Sequence, residues 1–274
     1  MRMHGRVWNV AGNFHDWTKA CGWRVALTWA VYGMMRKLGF QQPAGRIKIK
    51  PRDAIYPVIA RLGGASDMSG IQQIFVENEY SCMRDIIPLD FILDLGANVG
   101  YSSAYFLSCF PNATVVAIEP SPDNFELCRQ NLLPYGDRAK VVLGAIWSER
   151  SSLVISRGAF GDGREWATQV QESQGVEGEA TVEGWDVRSL LHLVGATQVD
   201  LLKCDIERSE IQIFGGNCSS WLAGVRNICI ELHGPDCSQV FFNALKDYDY
   251  DFGRSGELTI CRNLRPKQAS TIQY

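Results

Sequence analysis

The stretch FILDLGANVGYSS (91–103) sets an acid, Asp94, just ahead of a loop that carries Gly96, Asn98 and Gly100. Glycine lets a backbone turn sharply and approach a ligand with no Cβ in the way, and a helix that follows presents free N–H groups. A second acid, Glu119, closes the apolar run TVVAI (114–118). In an open parallel sheet, ligands bind beyond the carboxyl ends of the strands, where both acids fall. Two cofactor classes compete for this arrangement. A dinucleotide asks for GxGxxG, and here the second and third glycines of that pattern are missing. Asp94 repels a pyrophosphate but can hold a cationic amine by charge-assisted hydrogen bonds. S-adenosylmethionine has a cationic amine and a sulfonium, and no phosphate. Glu119 suits the ribose hydroxyls of either class, so Asp94 and the missing glycines discriminate. The structural alternative is that both acids cap helices.

A second group lies further on. VDLLKCD (199–205) runs into IERSE, placing Asp205, Glu207 and Glu210 together, and His233 follows ICIEL with Glu231 two residues before it. His233 is the one histidine at a strand end, and its ordinary pKa of about 6.5 suits a general base for a hydroxyl nucleophile. It equally suits a hydrogen-bonded loop histidine. The acids suit acceptor deprotonation, a bound Mg²⁺ or simple stabilisation of a helix N-terminus. Lys203 is placed to pair with one of them. Base catalysis without an obligatory metal is the expectation. His4, His15 and His192 lack such context. Residues 157–180 read as a long loop holding Arg164, Glu165 and Trp166, either a lid with an aromatic face for a sugar or a surface loop.

The elements that must position these groups follow from periodicity. FILDL (91–95), TVVAI (114–118), KVVLG (140–144), VDLLKCD (199–205) and NICIEL (227–232) are short apolar runs of the kind that form buried parallel strands. Helices fit 100–109, 124–133 after Pro122, 186–194, 206–214 and 238–246. SLVIS (152–156) reads as a peripheral strand and ELTICR (257–262) as the last one. The alternation predicts an α/β, doubly wound and mostly parallel sheet. Residues 1–70 form an N-terminal helical extension and 71–274 the main domain. Within the extension, a short helix is expected at 53–62; IQQIFV (71–76), which opens the main domain, reads as extended.

Composition narrows the partners. Hydrophobic residues make up 46%, enough for a full core. A net charge of −3 without a dense basic run argues against nucleic acid. The nine cysteines are scattered with no CxxC, as expected for reduced thiols in a cytoplasmic protein rather than a zinc site. WRVALTWAVYGMM (23–35) falls short of the roughly 20 residues that span a bilayer. Residues 15–38, with Trp17, Trp23, Trp29 and several Lys and Arg, suit packing on the body, a homodimer contact or a membrane surface.

At this point the chain resembles a known family. DLGANVGYSS, VVAIEPSPDNFELCRQNL, GAIWSER, VDLLKCDIERSE and ICIELH occur in the order seen in the FkbM family of S-adenosylmethionine-dependent methyltransferases. The resemblance runs from about IFVENEYS (74–81) to the C-terminal strand. It implies a class I methyltransferase fold, Rossmann-like, with methyl transfer to a hydroxyl of a sugar or small natural product. It further implies that Asp94, Gly96, Asn98 and Gly100 hold the methionine part, with Ala97, Tyr101, Ser102 and Asp205 also among the cofactor-binding residues. Glu119 then meets the ribose, Ala145 and Ile146 lie near the adenine, and Pro120, Ser121 and Tyr80 add cofactor contacts. His233, Asp205 and Glu207 become catalytic candidates, and Trp166, Glu231 and His233 acceptor-binding ones. There is one departure: Arg208 stands where the family usually has glycine, which signals a changed loop if that position needs positive φ. A non-catalytic cofactor binder and, less readily, a nicotinamide-dependent oxidoreductase remain alternatives. A base-modifying enzyme is disfavoured because the fourth strand ends in CDIE rather than Asn-Pro-Pro-aromatic.

Overall fold

The computed structural model describes residues 10–63, 66–157, 168–172, 181–216 and 218–268. The chain divides into two compact units, Met1–Ser81 and Cys82–Tyr274.

The first unit opens with helices α1 (Val10–Cys21) and α2 (Trp23–Lys37), separated at Gly22, whose φ of +87° ends one helix and starts the next. The buried indole of Trp17 stacks on Trp29 with ring centroids 5.5 Å apart. Strands β1 (Gly45–Ile49) and β2 (Val58–Leu62) pair antiparallel. Helix α3 (Asp67–Ile71) runs directly into a π-helical turn, Gln72–Val76. Arg61 of β2 grips the buried Asp67 with both its Nη2 (2.7 Å) and its backbone N–H (2.7 Å). Two expectations are overturned here. Residues 58–62 form a strand rather than a helix, with Val58 and Ala60 buried at a period of two. Residues 71–76 are helical rather than extended: Ile71 and Phe75 are both buried at the four-residue spacing of a helix face. Helix α2 exposes Trp23, Leu27, Val31 and Met34 along one stripe. No helix among the described residues is long and apolar enough to cross a membrane.

The second unit is built on strands β3 (Phe91–Leu95), β4 (Thr114–Glu119) and β5 (Ala139–Leu143), with helices α4 (Tyr101–Cys109) and α5 (Pro122–Leu132) between them. There follow β6 (Ala145–Ile146), β7 (Ser151–Arg157), β8 (Thr168–Glu172), β9 (Thr181–Trp185), helix α6 (Val187–Leu193) and β10 (Leu201–Cys204). The chain ends through α7 (Glu210–Gly215), α8 (Ser219–Leu222), β11 (Ile228–Glu231), α9 (Pro235–Ala244), β12 (Tyr248–Ser255) and β13 (Leu258–Pro266). The main sheet has the order β12-β13-β11-β10-β3-β4-β5. Strands β5, β4, β3, β10 and β11 are parallel, and β13 is antiparallel to both its neighbours. This is the α/β, doubly wound, class I methyltransferase arrangement that the apolar runs and the resemblance predict. The chain leaves β3 toward β4 and β5, then returns to the other side of β3 as β10, so a crevice opens beyond these strand ends. β6, β9, β7 and β8 make a second, smaller sheet. Part of the span read as a loop, 168–172, is therefore a strand paired with β7, and β12 lacks any expected counterpart. The helix expected at 206–214 starts only at Glu210, because Glu207 and Arg208 have φ of +49° and +79°. All nine cysteines are free, six of them buried.

Candidate functional site

The loop after β3 is shaped by the protein's own packing. Gly96 has φ +76°, and a Cβ there would stand 1.8 Å from the carbonyl oxygen of Asp205. Gly100 has φ +83°, and its Cβ would meet Cys128 Sγ at 2.8 Å. Both glycines thus serve close contacts within the fold, where the sequence suggested room for a ligand. The loop amides are also engaged. Gly96 and Ala97 donate to Ile118 O (3.1 and 3.0 Å), and Gly100 to Ala97 O (2.8 Å). Asn98 N–H donates to Glu119 Oε2 (2.9 Å). A row of free N–H groups is what a pyrophosphate requires, and these four are taken.

Asp94 takes a partner different from the expected ligand amine. Its side chain is sealed from solvent, and Lys203 Nζ lies 3.0 Å from Oδ1. Ser102 and Ser103 donate to Oδ2 at 2.7 and 2.6 Å. The charge that was assigned to a cationic amine is already matched by a buried lysine. Lys203 also donates to Gly96 O (2.7 Å), so one ammonium ties the strand end to the loop. Burial pulls the Lys203 pKa down, but the Asp94 carboxylate outweighs it and holds it above the ordinary value.

Glu119 stands at the end of β4, buried, next to that loop. Besides Asn98 N–H it accepts from Ser121 N–H (2.9 Å) and Asn124 Nδ2 (3.4 Å). Burial pushes its carboxyl up to about 7, partly offset by these donors. A carboxylate has about four acceptor sites, so capacity for another donor remains. Asn98, with φ +50°, carries a buried Oδ1 with no hydrogen-bond partner among the described residues. Pro120 and Ser121 follow Glu119, with Ser121 buried. Ala145 and Ile146 form β6, buried just beyond β5, where Gly144 N–H donates to Glu119 O (3.1 Å). Tyr101 and Ser102 are buried at the start of α4. Tyr80 is buried in the first unit. Arg164, Glu165 and Trp166 lie outside the described residues.

Beyond β10 and β11 the structure gathers the second group around His233. Nδ1 lies 3.0 Å from Oε1 of the fully buried Glu210. Nε2 lies 3.7 Å from Asp205 Oδ1, 3.6 Å from Glu207 Oε2 and 3.7 Å from Glu231 Oε1. Burial lowers the imidazole pKa, but the Glu210 hydrogen bond and the charges of Glu210, Asp205 and Glu207 overcome this and raise it to about 9. His233 therefore does not keep the near-neutral value on which its role as a base was expected to rest. Glu210 is the residue whose part was least visible: its acid type was apparent, its pairing with a ring 23 positions away was not.

Arg208 explains the departure at the loop. Its φ of +79° is the left-handed region where glycine is at ease. Arginine keeps that conformation and is anchored there, Nη1 donating to His233 O (3.1 Å) and Nη2 bonding Asp236. The Arg208 side chain thus anchors a loop whose backbone at this position lies in the region that glycine favours.

Comparison with known proteins follows the same lines. The Methyltransferase FkbM domain family matches residues 94–253, more than half of the chain. The antimetabolite synthetase AmbE of Pseudomonas aeruginosa is 30% identical over 197 residues, which cover 59% of this chain and 9% of that protein's length. The hexuronic acid methyltransferase AglP of Haloferax volcanii is 24% identical over 189 residues, covering 65% of this chain and 74% of AglP. Among solved structures, TrmK of M. capricolum in complex with S-adenosyl-homocysteine has a TM-score of 0.40 and 11% identity, covering 70% of each chain.

Proposed function

The chain belongs to the FkbM methyltransferase family, and from that premise we propose that it transfers a methyl group from S-adenosylmethionine to a hydroxyl of a sugar or small natural product. The observation that carries the cofactor assignment is the pair at the ends of β3 and β4. Asn98 Oδ1 is a buried acceptor with no hydrogen-bond partner among the described residues, and the Glu119 carboxylate beside it keeps room for a further donor. An unpaired buried acceptor costs about 1–3 kcal/mol, so a donor-bearing ligand suits it. Ribose hydroxyls match Glu119, and an amine or amide N–H matches Asn98. S-adenosylmethionine would supply an electrophilic methyl on a sulfonium.

The chain's own residues then have two tasks. Much of the acceleration in such a displacement is alignment, and the crevice beyond β3 and β10 supplies a rigid frame, since Lys203, Asp94 and Gly96 lock the loop to the sheet. The other task is to receive the acceptor's proton. Asp205, Glu207 and Glu231 set carboxylate oxygens around His233 at the same end of the sheet. A hydroxyl placed there has proton acceptors within reach as the new oxygen–carbon bond forms. A sugar acceptor is favoured by the relative AglP, whose name records a hexuronic acid methyltransferase.

Calorimetry with S-adenosylhomocysteine and, separately, NAD tests the assignment. Micromolar binding of the first and none of the second is the expected result, followed by methyl transfer to a panel of sugar hydroxyls. Binding of NAD alone overturns the proposal. Binding of S-adenosylhomocysteine without transfer to any acceptor would favour a non-catalytic cofactor binder.

A further inference from the structure

The ends of two adjacent strands bring three ligand-type side chains onto one point. Asp205 follows β10, Glu231 ends β11, and His233 lies two residues beyond it. Their donor atoms all lie within 4.8 Å of one another. His233 Nε2 is 3.7 Å from Asp205 Oδ1 and 3.7 Å from Glu231 Oε1. We propose that Asp205, Glu231 and His233 bind a first-row divalent cation of the Mn²⁺ or Zn²⁺ kind.

Four features point the same way. Metal–donor bonds of about 2.0–2.2 Å place neighbouring donors about 3–3.5 Å apart, so the two 3.7 Å distances from His233 Nε2 need to contract by only a few tenths of an ångström, with the two carboxylates closing from within 4.8 Å. His233 is oriented through its other nitrogen by a carboxylate, Glu210 Oε1 at 3.0 Å from Nδ1, and Glu210 is fully buried. That arrangement fixes the ring and aims Nε2 at the ion position. Negative charge is also concentrated here, with the four carboxylates of Asp205, Glu207, Glu210 and Glu231 around one imidazole and the Lys203 ammonium acting on Asp205. Lastly, the three side chains keep 36%, 26% and 18% of their surface exposed, which leaves open positions for water or an incoming hydroxyl.

The donor set selects the ion. One imidazole with two carboxylates favours Mn²⁺ or Zn²⁺ over Ca²⁺, which takes oxygen ligands. Glu207 Oε2, 3.6 Å from Nε2, adds an oxygen on the same side. A hydroxyl bound at an open position would be acidified by the ion. That last role rests on the methyl-transfer reading; cation binding itself does not.

The experiment uses the full chain, stripped with a chelator. Free Mn²⁺ is followed by electron paramagnetic resonance during titration with MnCl₂, and ZnCl₂ and MgCl₂ are titrated by calorimetry. The expected result is saturable binding of one Mn²⁺ or Zn²⁺ per chain, weakened more than tenfold in both Glu231→Gln and His233→Gln. No saturable binding of either ion to the folded wild type overturns the site, as does unchanged affinity in both variants. If either variant loses its circular dichroism spectrum, Asp205→Asn replaces it, under the same criterion. S-adenosylhomocysteine binding, read separately on the same wild-type preparation, separates the two ideas. Cation binding without it keeps the site and removes the methyl-transfer reading; the reverse removes the site alone.

Discussion

Lys203 and Asp94 stand opposite each other on adjacent parallel strands, Nζ 3.0 Å from Oδ1, in surroundings almost closed to solvent. The same ammonium donates to Gly96 O at 2.7 Å. The pair is thus part of the frame that shapes the loop, and its worth is measurable. Removing one partner of a buried ion pair strands the other charge, at about 3–5 kcal/mol. Lys203→Met should therefore lower stability by that order in urea denaturation. The double variant Asp94→Asn, Lys203→Met should recover much of the loss, since no charge is left buried. A loss below about 1 kcal/mol in the single variant would show that the pair holds little.

Gly96→Ala should be among the most damaging single-methyl changes in the chain. The new Cβ meets a backbone carbonyl at 1.8 Å, and backbone cannot swing aside as a side chain can. Overpacking costs about 1–3 kcal/mol where neighbours yield, and this site adds the penalty of a positive φ. Thermal denaturation and S-adenosylhomocysteine calorimetry should both register it. A variant with wild-type stability and affinity would contradict the packing of this loop on Asp205.

Glu119 makes stability and cofactor binding depend on pH. Its folded-state pKa is about 7, above the ordinary 4.5, because burial disfavours the charge. Between these two values the folded state binds more protons than the unfolded one, so stability falls as pH rises through that window. The effect is at most about 3 kcal/mol. Glu119→Gln should flatten the dependence. Hydroxyl groups donating to Glu119 favour its charged form, so S-adenosylhomocysteine binding near pH 6.5 should release protons. Calorimetry in two buffers of different ionisation enthalpy measures this, and equal apparent enthalpies in both would rule out the contact.

At Arg208, alanine should be worse than glycine. Arg208→Gly removes the strain of a φ of +79° while losing the contacts to Asp236 and His233 O. Arg208→Ala loses the same contacts and keeps the strain, which costs about 1–2 kcal/mol in the left-handed region. The ion pair is half exposed and adds little by itself. Denaturation midpoints should rank Arg208→Gly above Arg208→Ala; the reverse order would mean that this loop relaxes to another conformation.

Much of the architecture was legible because its determinants are local. Apolar runs such as FILDL and TVVAI, each closed by glycine or an acid, mark buried strands wherever they occur, and Pro122 starts α5 as it should. Short segments were less legible. VIARL at 58–62 and QQIFV at 72–76 carry too few residues for periodicity to separate helix from strand, and neighbouring elements decided them. Strand β8 lies in a span poor in apolar residues and exists by pairing with β7.

From residue types and spacing alone come the doubly wound sheet, the loop after its first strand, the acid at the end of the second, and the two clusters of titratable groups. Those follow from backbone preferences and burial periods that act over a few residues. Tertiary structure alone decided which charges meet. Asp94 faces Lys203 because β10 lies beside β3 in a set register. Asp205 and His233 converge because β10 and β11 are neighbours that end at the same edge. Electrostatic partners are chosen by distance in space, and only the order and register of strands convert distance along the chain into distance in space.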